Sequence, residues 1–134
     1  MNHPTGRIAP QASERAIADH YFGSTRPSMA EIKATVCDFY LIHPTELIGP
    51  GREDRVVVAR QMFMYFAYRY TPFSLHRVGQ YVNRNHHTTV WHAVKKIEKK
   101  IVRHASLCDD ILALRVRISE RVERRLYGDN HAGL

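Results

Sequence analysis

The chain has 134 residues, 44% of them apolar, and a formal net charge of +7, enough for one domain with a modest core that folds without metal or disulfide help. No run of about 18 apolar residues could span a bilayer. The polar start MNHPTGRIAPQ lacks the apolar centre of a secretory signal, so a cytoplasmic protein with no membrane partner is expected.

Residues 1–27, rich in Pro, Gly, Ser and Thr, read as a flexible N-terminal arm with at most a short helix at 13–22. Ser28 followed by Glu31 is a capping-box signal. Met29, Ile32, Val36, Phe39 and Tyr40 then keep helical spacing, which predicts a helix over 29–41 that stops at His43-Pro44. Gly49-Pro50-Gly51 marks a loop. Asp54 opens a second helix in which Val56, Ala59, Phe63, Phe66, Ala67 and Tyr70 recur at three- and four-residue intervals, ending before Pro72. Cys37 and Cys108 each lie within an apolar helical pattern, so buried free thiols are expected rather than a bridge.

Ser74 is the expected N-cap of a short helix from Leu75 to Tyr81. Gly79 in its middle costs about 1 kcal/mol relative to Ala, which is worthwhile only where a neighbouring helix must come close. In the next helix, 84–103, Val90, Val94, Ile97 and Ile101 form a core-facing stripe, whereas Thr88, His92, Lys95, Lys96, Lys99 and Arg103 share the opposite face. Leu107, Ile111, Leu114, Ile118, Val122 and Leu126 continue helical spacing to Gly128, and residues 128–134 read as a flexible tail. No alternating strand pattern competes. The expected fold is all-α, a small helical bundle over residues 28–127 with a helix-turn-helix at about 74–103.

Charge is concentrated in that unit. Residues 75–104 hold seven Lys and Arg against Glu98 alone, while five Arg and five acids balance from Ala105 onwards. A local positive field attracts phosphate backbones more effectively than the same charge spread evenly, which points to nucleic acid as the partner, and the helix-turn-helix arrangement to double-stranded DNA.

Residues 31 to about 104 resemble the C-terminal DNA-binding domain (domain IV) of the bacterial chromosomal replication initiator DnaA, a Trp-repressor-like helix-turn-helix. The resemblance rests on Arg60-Gln61, Ser74-Leu75, Val78-Gly79, Asn85-His86-His87-Thr88-Thr89-Val90 and His92-Ala93, in order and without a gap through the helix-turn-helix. It implies base and phosphate contacts for His87, Thr88 and Thr89 in the first turn of the recognition helix. By the same resemblance Arg52 enters an A·T-rich minor groove and Arg60-Gln61 hold the phosphate backbone. Arg77, Lys95 and Lys96 suit phosphate contacts on charge grounds, and Ser74, Leu75, Arg84 and His92 complete the candidate interface. Trp91, beside the apolar stripe, reads as structural. The pattern's Arg-Asp pair is replaced by Asn85-His86, and the Gly pair before it by Asn83-Arg84. Where Asp accepts from cytosine, neutral His86 can donate or accept, and Asn85 suits adenine, so an altered base preference is expected.

No GxxxxGK[ST] loop occurs, so no nucleotide or other cofactor is expected, and the reading is a non-ATPase regulator of replication or transcription rather than a complete ATP-driven initiator. Two other classes compete with it. His86, His87 and His92 cluster, but without the H-E-x-x-H spacing that a metal-dependent enzyme would use. The stripe from Leu107 to Leu126 could instead recruit a protein partner.

Overall fold

A computed structural model describes residues 25–84 and 86–128 of the chain. The expected short helix at 13–22, residue Asn85 and most of the expected tail lie outside the described residues. Within them stand six helices and no strand: α1 (Met29–Tyr40), α2 (Pro44–Ile48), α3 (Asp54–Tyr70), α4 (Leu75–Tyr81), α5 (His87–Ile101) and α6 (Ala105–Tyr127).

The capping box forms as expected. The Glu31 amide donates to Ser28 Oγ at 3.0 Å and the Ser28 amide to Glu31 Oε1 at 2.8 Å. Helix α1 closes at Leu41, whose left-handed φ of 57° lets its N–H reach the Cys37 carbonyl. Sequence periodicity gave no sign of α2, because five residues carry too little of a 3.6-residue repeat. Its local signals are Pro44 in the first turn and Glu46 reaching back to the His43 amide at 2.8 Å.

Helix α3 is the axis of the bundle. Every residue from Met62 to Tyr68 is buried, because α1, α2, α4 and α5 all pack around it. Helix α6 lies on α1 and α5, and its buried stripe is Ile111, Leu114, Ile118 and Val122. That stripe is used up within the bundle. Leu126, expected to continue it, is instead 48% exposed, so the packed stretch ends one turn early. Both thiols are free: Cys37 is buried, and half-buried Cys108 donates to the Ile101 carbonyl.

Two local arrangements position the surface that matters. First, α4 and α5 are separate helices joined through a tight turn. An added Cβ at Gly79 would stand 2.7 Å from the Arg84 carbonyl oxygen and 3.4 Å from Val90 Cγ2. The Gly79 carbonyl in turn accepts from the amides of Val82 and Arg84. Asn83 takes the left-handed conformation, φ 58°, that turns the chain, as Asn tolerates and most residues do not.

Second, the loop between α2 and α3 is folded around Arg60. This side chain is 7% exposed. Its Nε donates to the Leu47 carbonyl at 2.8 Å, Nη1 to Gly51 at 3.2 Å, and Nη2 to Glu46 at 3.0 Å and Gly49 at 2.9 Å. Four of a guanidinium's five N–H groups are thereby used on backbone carbonyls.

Replacing Gly79 by Ala should destabilise the fold by up to about 2 kcal/mol, an overpacking cost of about 1–3 kcal/mol less the gain of about 1 kcal/mol in helix propensity; denaturant unfolding of the two proteins measures the difference. Arg60→Lys keeps the charge but cannot span the separated carbonyls. It should cost about 2 kcal/mol or more, with local proteolysis in the α2–α3 loop appearing before global unfolding.

Candidate nucleic-acid interface

A concave cleft of about 1030 Å³ runs between the α2–α3 loop, α3 and α5. Of the expected interface residues it gathers Arg52 from the loop, Arg60 and Gln61 from α3, Arg84 from the turn, and Thr89, His92 and Lys96 from α5. These positions span 45 residues of sequence and meet because α5 packs against α3. The floor is partly apolar, with Met64 and Val57, and Ile48 and Pro50 form part of the lip on the loop side. None of these four stood out in the sequence, where a hydrophobic residue on a helix signals core rather than the bottom of a groove.

The residues around the cleft do different work. Arg52 is exposed on the loop, and His92 and Lys96 are exposed on α5. Gln61 and Thr89 are half-buried in the walls. Arg60, expected on a phosphate, is committed instead to the carbonyls of the loop. Burial and then the positive charge of Arg84 lower its pKa, yet the four accepting carbonyls hold it in place. Leu75, also expected at the interface, is fully buried, which leaves it no surface for a ligand. Ser74 Oγ accepts from the Arg77 amide at 3.1 Å, so it caps α4, and its O–H proton still has a bond to give.

The leading end of α5 lies beside the cleft. His86 is the N-cap residue and contributes no side-chain cap, so the helix enters without the Ser, Thr or Asp that usually satisfies its first amides. Such an end favours an anion. His86 is exposed, and His87 and Thr88 are half-buried there. Asn85, expected to favour adenine, lies outside the described residues.

Cations on α5 are unequal. Lys95 Nζ stands 3.1 Å from Glu98 Oε1 and 4.4 Å from the centroid of the Trp91 ring. Glu98 also accepts from Arg69 Nη1 at 2.8 Å. Lys95 therefore already has an acid and an aromatic face to leave before it can reach a phosphate, whereas Lys96 and Lys99 are exposed. On α4, exposed Arg77 lies 5.6 Å from the Phe73 ring centroid. Trp91 is half-buried and packs against the core, as expected of a structural residue.

Among the described residues no group of three or more His, Cys, Asp or Glu side chains is arranged to hold a metal ion. No helix among them is long and apolar enough to cross a membrane.

The family described as bacterial dnaA protein helix-turn-helix matches residues 29–97. Chromosomal replication initiator protein DnaA of Limosilactobacillus reuteri (strain DSM 20016) is 33% identical over 113 residues, which are 84% of this chain and 26% of that protein. The protein of the same name from Thermomicrobium roseum is 38% identical over 85 residues, 63% of this chain and 18% of its own length. That of Cereibacter sphaeroides (strain ATCC 17029 / ATH 2.4.9) is 35% identical over 104 residues, 77% and 23% of the two chains. The chain thus spans about a quarter or less of these curated relatives. The matched stretch begins at the first residue of α1 and ends at buried Ile97 on α5, so it takes in the loop, the turn and both walls of the cleft. With its fold, its turn and its sequence in agreement over that stretch, the chain belongs to the bacterial dnaA helix-turn-helix family.

Proposed function

We propose that this domain binds double-stranded DNA in a sequence-specific manner, with the first turn of α5 in a major groove and Arg52 in the adjoining minor groove. The cleft between the loop and α5 carries this reading. Two protein elements that enter neighbouring grooves must straddle one sugar–phosphate strand, and a groove walled by Gln61, Thr89, His92 and Lys96 offers that strand hydrogen-bond donors and positive charge. The amino end of α5, open to an anion, adds a favourable partial charge beside the same strand.

Base reading falls to His86, His87, Thr88 and Thr89, with Asn85 expected among them. The Thr methyl groups suit contact with thymine, and the hydroxyls suit a base edge or a phosphate. Lys96, Lys99 and Arg77 hold phosphates. Lys95 joins them once it leaves Glu98. Sites related to the initiator's recognition box, with a shifted preference where Asn85-His86 replace the family's Arg-Asp, are the expected targets. The 134 residues hold no phosphate-cradling GxxxxGK[ST] loop, so the role assigned to this segment is that of a reader, occupying sites in replication control or transcription, and not that of a nucleotide-driven assembly.

Selection of bound duplexes from a random pool tests the reading directly. A recurrent sequence supports it, and an unselective pool removes the specificity claim. With five or six phosphates neutralised, log affinity should fall against log salt with a slope of about −5. Lys96→Ala should flatten that slope by about 1 unit and Lys95→Ala by less, because Lys95 loses Glu98 and Trp91 on binding; anisotropy titrations at four salt concentrations separate the two. Thr88→Ala should weaken the selected duplex by about tenfold while leaving random duplexes nearly unchanged. Equal losses on both would make Thr88 a phosphate contact.

A further inference from the structure

Arg84 lies three residues ahead of α5. Its backbone is seated on α4: the amide donates to the Gly79 carbonyl at 2.8 Å, and its own carbonyl oxygen fills the space that Gly79 leaves by having no side chain. The guanidinium then binds in two directions, one back within the turn and one out of it. Nη1 donates to the Val82 carbonyl at 2.9 Å, and Nη2 donates at 3.0 Å to the carbonyl of Gly49, 35 residues earlier in the chain. The same Gly49 oxygen accepts from Arg60 Nη2 at 2.9 Å. Both lone pairs of one loop carbonyl are therefore taken by arginines, one from α3 beneath the loop and one from the turn of the helix-turn-helix.

We propose that Arg84 is a positioning residue: by tying the turn to Gly49 it sets the distance between Arg52 on the loop and the leading end of α5, and so matches the spacing of the two reading elements to adjoining grooves. This rests on the DNA-reading proposal above, which assigns those two elements to DNA. Arg84 acts through the loop rather than through a phosphate. Its charge is incidental to that role and its fork is essential, since two separate Nη groups reach Val82 and Gly49, whereas a lysine ends in a single nitrogen.

Arg84→Lys and Arg84→Ala, alone and combined with Arg52→Ala, are titrated against the duplex selected by the wild-type protein. Both single variants should weaken binding by roughly tenfold, the loss of about one Arg contact. Neither should weaken it further once Arg52 is Ala. A Lys variant with wild-type affinity, or losses that multiply in the double variants, would overturn the proposal by making Arg84 an independent cationic contact. The tie is also read without DNA: backbone ¹⁵N order parameters at Gly51 and Arg52 should fall from about 0.85 towards 0.6 in Arg84→Lys, while those of α3 stay unchanged. Unchanged loop values would refute the tie. A wild-type protein that holds no duplex would defeat the proposed function, and the DNA-free order parameters would still decide whether Arg84 fastens the loop.

Discussion

The last turn of α2 and the loop after it turn four carbonyl groups towards α3 and need a donor there, since a buried acceptor left without a partner costs about 1–3 kcal/mol. Arg60 is that donor. Leu47, Gly51, Glu46 and Gly49 all lean on one guanidinium rising from α3. The loop that carries Arg52 is consequently built on α3, and α5 is built on α3 as well. Both sides of the cleft share one foundation. This is why a short irregular segment, with Pro and two Gly within five residues, can keep a fixed place opposite α5.

The second constraint is steric. The chain must reverse between Tyr81 and His87 while α4 and α5 stay in contact, which requires a position without Cβ on the inside and a left-handed residue on the outside. Gly79 and Asn83 supply these. The arrangement fixes where α5 begins, and with it which side chains occupy the first turn. A recognition helix shifted by one residue would rotate by about 100° and present a different set. The register of α5 therefore depends on two residues that lie outside that helix.

Helices α1, α3, α4, α5 and α6 were legible in the sequence because each is about two turns or more of amphipathic repeat, although α5, expected over 84–103, begins only at His87 because Asn83 and Arg84 form the turn. The short α2 was not, since five residues give no measurable period. Site residues divide along another line. Exposed α5 positions such as His92 and Lys96 follow from the helical wheel, which places them opposite Val90, Val94 and Ile97. The destination of a long side chain does not follow from any wheel. Arg60 and Arg84 look like phosphate ligands in one dimension, and both turn inward because carbonyls 9 to 35 residues away fold into their reach. Lys95 looks the equal of Lys96 until Glu98 and Trp91 are seen beside it.

The same pairing of long side chains limits how far acids offset the positive charge of α5. An acid near α5 would cancel it, and the one acid in that helix, Glu98, is held between Arg69 and Lys95. Other acids are engaged between α1 and α6, neither of which lines the cleft: Asp38 with Arg121, Asp110 with the Tyr40 hydroxyl, and Glu31 with Arg125. Burial alone would raise the pKa of Glu31, but bonds from Arg125 and from Ser28 outweigh it and hold the carboxyl below its ordinary range. Glu31 thus stays ionised, and its pairing with Arg125 survives, to lower pH than a free carboxylate would allow. The ion pairs of α6 close the bundle on the side of α1 and draw no charge from Lys96, Lys99 or Arg52. Exposed ion pairs of this kind add little stability one by one. Their larger effect is on the field, because acids used to fasten α6 to α1 are not available to neutralise α5.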